Sequence, residues 1–384
     1  MSHTYYCLLG NTPALSLLEL SRMLPESAAP TEVQPDLCSV VLTDDQAART
    51  LLERSGGVVK ILKHIAELPS VEDRELEHAI TEHLLTNPAA KITFAIAELG
   101  RDHLPALDAG GIKRSLKDAG KKVRYQETTR HGLSAAVLSH HAVAEIVALD
   151  TGNQTTILAE SVAVQNIDHW TKKDRHKPYA DRKKGMLPPK LARMLVNIAL
   201  GTSDPDGKIL LDPFCGSGGV LIEAIELGLS VRGSDTDTDA VSGTKKNLAW
   251  FTQDMESTSD WQVQQADATK VRVDRPIHFL ATEPFLGKPK PEKSQLKNIF
   301  TGLYKLYLGA FKHWKTVLVD GAQLVVIFPR ARGSEFDMSQ DTTLEALIDK
   351  LASLGYTTKS GPVTYFRPQA RIARDVYLFE YRAN

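Results

Sequence analysis

Residues 208–227 constrain the fold of this chain more than any other stretch. Lys208-Ile-Leu-Leu-Asp212 reads as a strand ending in an acid, and it runs into the turn Pro213-Phe-Cys-Gly-Ser-Gly-Gly219. Gly218 to Leu227 then reads as a helix. This order belongs to a sheet of parallel strands that holds a ligand beyond its carboxyl ends, at the point where strand order reverses. Gly216 and Gly218 let the backbone approach such a ligand, with Phe214 beside them. Two common uses of the turn fail here. The third glycine of the dinucleotide fingerprint is missing, since Gly219 is followed by Val220 and Leu221, and no Lys-Ser or Lys-Thr completes a phosphate-cradling loop.

Carboxylates narrow the choice. Asp212 ends the first strand, Asp235 follows the second in Gly233-Ser-Asp235, and Asp267 follows the third in Ala266-Asp-Ala268. Each acid alone also suits a helix cap or a turn. Three acids at three successive strand ends fit a ligand with a sulfonium and an ammonium group and no phosphate, which is S-adenosylmethionine. Asp212 then suits the methionine amino end, Asp235 the ribose hydroxyls, and Asp267, with Ala268 next to it, the adenine amino group.

A fourth strand ends in Ala281-Thr-Glu-Pro-Phe-Leu-Gly-Lys-Pro289. Enzymes that methylate an exocyclic amino nitrogen carry a short acid or amide, prolines and an aromatic ring at this strand end. Such an amine shares its lone pair with its ring, so acceptors must localise the pair on nitrogen before it attacks a methyl group. Glu283 is the candidate acceptor, with the Pro284 backbone beside it, Phe285 to stack on a flipped base, and Thr282 as the other register for the first position.

The rest of the chain sorts around this domain. At 384 residues, with 42% apolar and 24% charged residues, the chain has room for two or three soluble domains. No run approaches the roughly 18 apolar residues of a membrane span. The first residues lack the layout of a secretory signal, so a cytoplasmic location is expected by elimination. Cys7, Cys38 and Cys215 are too few and too scattered for a disulfide framework or a zinc site, and no metal is expected. Residues 1–70 read as β-α-β-α-β, a small ferredoxin-like domain with helices at Pro13–Met23 and Asp45–Arg54. Residues 71–170 read as an α/β module with a basic helix at Gly111–Ala119 carrying Lys113, Arg114 and Lys117. Residues 171–384 alternate strand and helix as a mostly parallel sheet, with one long helix expected over Lys293–Val319 and an antiparallel hairpin at the end.

Net charge is −1, but the bases are unevenly placed. Lys172, Lys173, Arg175, Lys177, Arg182, Lys183, Lys184, Lys190 and Arg193 crowd the segment before the glycine turn, and Lys288, Lys290, Lys293 and Lys297 follow Phe285. Lying on both sides of the candidate site, they suit a nucleic-acid backbone. Lys172, Lys173, Arg175, Arg182, Lys184, Lys288 and Lys290 are the expected RNA contacts.

Pro178, Asp181 and the run Gly185-Met-Leu-Pro-Pro-Lys-Leu191, followed by Leu211-Asp-Pro-Phe-Cys-Gly-Ser-Gly-Gly219, carry a specific likeness. They resemble the tRNA guanine-N2 methyltransferases that place a THUMP RNA-binding domain ahead of a Rossmann-like catalytic domain. Glu160-Ser-Val-Ala-Val-Gln165 is similar to that family's exit from the THUMP unit. The resemblance implies a ferredoxin-like domain over 1–70, a THUMP-like domain over 71–170 that grips tRNA, and a class I methyltransferase domain over 171–384 with its linker. It implies that Asp181, Met186 and Leu187 close over the methionine end of the cofactor, and that a guanine 2-amino group is methylated. Where the family reads Asp-Pro-Pro-Tyr-Gly, this chain reads Thr282-Glu-Pro-Phe-Leu-Gly287, with either Thr282 or Glu283 in the first place. A DNA adenine-N6 or cytosine-N4 methyltransferase shares the same catalytic logic, and the altered acceptor string also suits a catalytically weak RNA-binding protein that keeps the cofactor fold. A small activating protein partner is compatible with each reading.

Overall fold

A computed structural model describes residues 2–69, 73–101, 106–129, 132–141, 143–152, 155–181, 186–253, 259–288, 291–331, 344–366 and 370–383. Along the chain, β1 (His3–Leu9), α1 (Pro13–Met23), β2 (Thr31–Gln34), β3 (Leu37–Leu42), α2 (Asp45–Arg54) and β4 (Val58–Pro69) come first. Next are α3 (Asp73–Leu85), β5 (Lys91–Leu99), α4 (Ala109–Asp118), β6 (Lys122–Tyr125), α5 (Ala135–His141), β7 (Val143–Asp150) and β8 (Thr155–Val164). The helices expected over Pro13–Met23 and Asp45–Arg54 form with those bounds. Their ends are locally encoded: Pro13 opens α1, and the Asp44 carboxylate accepts from the Ala47 N–H at the start of α2.

These strands make one eight-stranded sheet in the order β2-β3-β1-β4-β8-β7-β5-β6. The boundary expected near residue 70 therefore does not interrupt the sheet, because β4 pairs with β1 on one edge and with β8 on the other. An edge strand, β2, joins the expected β-α-β-α-β series, and α3 was not foreseen. Residues 1–13 and 26–169 form one compact unit. A buried ion pair, Lys60 Nζ to Glu145 Oε2 at 2.7 Å, links β4 to β7 inside it.

The second unit comprises residues 14–25 and 170–384, so α1 belongs to it rather than to the small sheet it was expected to cover. Leu15 of α1 enters its core, Glu19 accepts from Asn197 Nδ2 at 2.6 Å, and Arg22 Nε donates to the Ile198 carbonyl at 3.0 Å. The elements that follow β8 are α6 (Ile167–Arg175), α7 (Pro189–Leu200), β9 (Ile209–Asp212), α8 (Gly219–Glu226), β10 (Ser230–Asp235), α9 (Thr238–Thr252), β11 (Trp261–Gln265) and β12 (Ile277–Thr282). The chain ends with α10 (Lys293–Trp314), β13 (Leu318–Ala331), α11 (Glu345–Ala352), β14 (Tyr356–Tyr365) and β15 (Ile372–Tyr381). The long helix stops at Trp314 rather than Val319, and Leu318 and Val319 begin β13. The β-branched pair Thr316-Val317 favours that exit from the helix.

The sheet order is β11-β10-β9-β12-β13-β15-β14, parallel from β11 to β13, with β15 antiparallel to both β13 and β14. This is the class I methyltransferase sheet with its antiparallel edge hairpin, as expected. One face packs on α1, α7, α8 and α9, the other on α10 and α11. No helix among the described residues is long and apolar enough to cross a membrane.

The basic run before α7 divides by burial. Lys173 and Arg193 are each 3% exposed, so neither reaches a phosphate outside the protein, and Lys173 is corrected here from the set of RNA contacts. Lys173 Nζ lies 2.8 Å from Glu223 Oε2 and 2.7 Å from Glu226 Oε2, with the Trp170 ring 4.0 Å away. Arg193 Nε donates to Glu223 at 2.8 Å and its NH2 pairs with Glu226. These charges clamp α6 onto α7 and α8. Glu223→Ala leaves two buried cations short of a partner, at an expected cost of about 3–5 kcal/mol. All four tryptophans, Trp170, Trp250, Trp261 and Trp314, lie in this unit, so urea unfolding followed by tryptophan fluorescence reads the shift directly.

Candidate active site

Strand order reverses between β9 and β12, and the candidate residues gather at the carboxyl ends of these two strands and their neighbours. Asp212, 2% exposed, closes β9. Its Oδ1 accepts from Thr282 Oγ1 at 2.6 Å and from the Phe214 N–H at 3.1 Å, which leaves Oδ2 without a donor among the described residues. Burial pushes its pKa up to about 7 despite these bonds, and the nearby charges of Asp235 and Glu283 add to the rise. Folding therefore favours the protonated acid. That contribution to stability is full below the ordinary value of 3.8 and is lost as pH rises through about 7, unless a cation arrives to hold the ionised form.

The glycine turn is fixed from three sides. Asp235 Oδ2 accepts from the Gly216 N–H and its Oδ1 from the Asp237 N–H, both at 3.0 Å. Thr244 Oγ1 donates to the Gly216 carbonyl at 2.7 Å. Gly218 has φ +80°, and a Cβ there would stand 2.8 Å from Thr244 Cγ2, so both backbone angle and space demand glycine. Asn247, one turn after Thr244 on α9, donates to the carbonyls of Ser217 (2.8 Å) and Tyr179 (2.9 Å) and accepts from the Tyr179 N–H at 2.8 Å. The Tyr179 ring lies against Gly243, where a Cβ would come within 2.1 Å of it.

Asp267 is exposed, and its Oδ1 accepts from the backbone and hydroxyl of Thr269 at 2.8 and 2.7 Å. Those bonds hold its carboxyl below the usual range, so it stays ionised. Ala268 is buried and its carbonyl accepts from Trp314 Nε1 at 3.0 Å, while Phe214 packs against the core cluster that contains Ala268. Met186 is half-buried, and Leu187 packs on the other cluster with its carbonyl 3.8 Å from where a Gly219 Cβ would lie. Asp181 lines a cleft of about 310 Å³ with Tyr179, Asp239, Ser242 and Lys246.

On the acceptor side, Thr282 is fully buried and committed to Asp212, so it supports the site rather than facing a substrate. Glu283 is half-buried and pairs with Arg374 Nε. Pro284 is buried. Phe285 is 61% exposed, with its carbonyl accepting from the Tyr307 hydroxyl at 2.6 Å, and Leu286 packs into the core. The one ring of this string thus points outward. Lys172, Arg175 and Lys288 are exposed, while Arg182, Lys184 and Lys290 lie outside the described residues.

Sequence reasoning missed Tyr179, Thr244, Asn247, Tyr307 and Arg374. Thr244 and Asn247 left a faint signal, two polar residues at helical spacing that the structure buries on α9. Arg374 left none, since it sits 91 residues from its partner.

With this geometry in place, comparison with known proteins is informative. Residues 179–343 match the RMKL-like methyltransferase domain family. A tRNA (guanine(10)-N2)-dimethyltransferase of Methanothermobacter thermautotrophicus is 36% identical over 206 residues, 53% of each chain. A probable tRNA (guanine(10)-N2)-dimethyltransferase of Methanothermococcus thermolithotrophicus is 35% identical over 117 residues, which are 30% of this chain and 70% of that relative. The chain belongs to the tRNA guanine-N2 methyltransferase family. Over the longer matches it spans about half the length of the curated relatives. The crystal structure of TrmN from Thermus thermophilus has the same fold, with a TM-score of 0.53 at 17% identity, covering 99% of this chain and 100% of that one.

Because Asn247 ties the turn, the 179 segment and α9 together, Asn247→Ala is expected to weaken S-adenosylmethionine binding about tenfold, the loss of one or two net hydrogen bonds. Equilibrium titration of the cofactor against the variant measures it.

Proposed function

We propose that this chain transfers a methyl group from S-adenosylmethionine to the exocyclic N2 amino group of a guanosine in tRNA. The observation that carries the reading is the Thr282–Asp212 hydrogen bond, which sets the buried acid of the glycine turn against the strand end bearing Glu283 and Phe285. The residues fit the cofactor. Asp212 is a buried carboxylate with one oxygen open to an ammonium group, and the further groups at the strand ends are the acids Asp235 and Asp267. Asp235 closes β10, in place for the ribose hydroxyls, and Asp267 keeps Oδ2 for an adenine amino group. When bound, S-adenosylmethionine supplies a methyl group made electrophilic by its sulfonium.

The chain's own residues do the rest. Phe285 offers a stacking face to a base flipped out of the RNA, worth about 1–3 kcal/mol. Glu283 accepts an N–H of the guanine amino group and so directs the nitrogen lone pair toward the methyl carbon. With the cofactor held there, the methyl group would pass to that nitrogen and the electron pair of its bond to sulfur would stay on sulfur. The nitrogen then sheds one proton, to Glu283 and on to water. Orientation of nitrogen, methyl and sulfur in line supplies most of the rate.

The names of the sequence relatives support tRNA and the guanine N2 position as substrate. The exposed Lys172, Arg175 and Lys288 are proposed as phosphate contacts, and the basic α4 as part of a THUMP-like grip within residues 71–170. A cytoplasmic location belongs to the same proposal.

Labelled-methyl transfer to bulk tRNA and to bulk DNA, followed by nucleoside mass spectrometry, tests the reading. N2-methylguanosine in tRNA is expected, and Glu283→Ala is expected to lower kcat by about 100-fold or more. Transfer to DNA alone overturns it in favour of an amino-methyltransferase of DNA. The Asp212 acid gives a second readout. Its raised pKa means that a cationic ligand is met by a mostly protonated partner well below pH 7 and by a mostly ionised one only above it. Cofactor affinity is therefore expected to increase from about pH 5.5 to about pH 7, and the slope to flatten in Asp212→Asn.

A further inference from the structure

We propose that Arg374 is the positioning residue for the acceptor carboxylate: it holds Glu283 in one orientation, so that the oxygen it does not engage can accept from the target amine. This rests on the reading of Glu283 given above.

In the register that puts Glu283 first, this chain has Glu where the resembled string has Asp, longer by one methylene. Glu283 lies just past β12, and Arg374 belongs to β15, with β13 running between the two strands. The β13 residue opposite Arg374 is Pro329, and Glu283 meets the guanidinium above it, Arg374 Nε donating to Glu283 Oε1. Both side chains are about one-fifth exposed, 22% for Arg374 and 19% for Glu283. A pair this shielded is screened less by salt than a surface pair.

Arg374 is itself fixed. Tyr365 is its cross-strand partner on β14, and the guanidinium lies 5.9 Å from the centre of that ring. The next residue, Asp375, accepts from Arg330 Nε at 2.6 Å and from Thr364 Oγ1 at 2.8 Å, so the hairpin is anchored on both sides of the register. An arginine held in this way supplies a planar donor of defined direction, which a freely rotating lysine would not.

The chemistry requires such a partner. Only an ionised carboxylate is acceptor-only, and a protonated one would present an O–H to the amine it must receive. Arg374 of β15 is a cation paired directly with Glu283. With the Arg374 Nε on Oε1, Oε2 is the oxygen left for the substrate N–H.

Methyl transfer by the full chain tests this in Arg374→Gln and Arg374→Lys. Arg374→Gln is expected to lower kcat about tenfold. Affinity for S-adenosylmethionine, titrated separately, is expected to stay within about twofold, which also shows that the variant folds. Arg374→Lys is expected to recover only part of kcat, because it returns the charge without the fixed planar donor. In the double variant Glu283→Gln with Arg374→Gln, the two losses are expected to be less than multiplicative. An unchanged kcat in Arg374→Gln, or fully multiplicative losses, overturns the assignment of Arg374 while leaving the methyltransferase reading intact. A wild-type chain that methylates no nucleic acid overturns the reading beneath it.

Discussion

The hydrogen bond from Thr282 to Asp212 is the contact on which the rest of this site depends. It joins the ends of β9 and β12, neighbours in the sheet that lie 70 residues apart in the chain. Neither partner is exposed to solvent, so the bond cannot be exchanged for one to water without leaving a buried acid uncompensated. One strand end carries the glycine turn and the other carries Glu283. The distance between the glycine turn and the end of β12 is thus set by the spacing of adjacent strands, about 4.8 Å, and not by loops that could drift.

Around that contact, buried polar side chains act as ties between segments that the sheet alone would leave loose. Asn247 binds the 179 segment to the glycine turn. Lys173, Arg193, Glu223 and Glu226 bind the linker helix to two others. Arg374 binds the edge hairpin to the acceptor strand. Each tie costs desolvation and returns geometry. A low-dielectric surrounding makes such bonds directional and makes their partial removal expensive.

Local signals were the legible ones. The strand, acid, glycine turn and helix around Asp212 formed as read, because close backbone approach and left-handed angles leave few residues to choose from. Helices with marked starts, α1 and α2, formed with their expected bounds. The unit to which a helix belongs was not legible: α1 keeps its stripe of Leu15, Leu20 and Met23 wherever it packs. The basic run misled for a related reason. Charge is visible in sequence and burial is not, so Lys172 and Lys173 look alike although one is exposed and the other is enclosed by two glutamates. Arg374 was illegible because its meaning comes from strand register, which only the folded sheet supplies.

The glycine inside α9 has a consequence of another kind. Glycine in a helix interior costs up to about 1 kcal/mol relative to alanine, so position 243 departs from what helix propensity favours. What it gains is a socket for the Tyr179 ring, flush against the helix backbone. Positions 179 and 243 are therefore expected to change together. A lineage that shrinks the ring is released to recover alanine in the helix, and a lineage that gains a methyl group there must first lose the ring. Where the two residues change together among relatives, the segment leading to the cofactor turn will have been refitted.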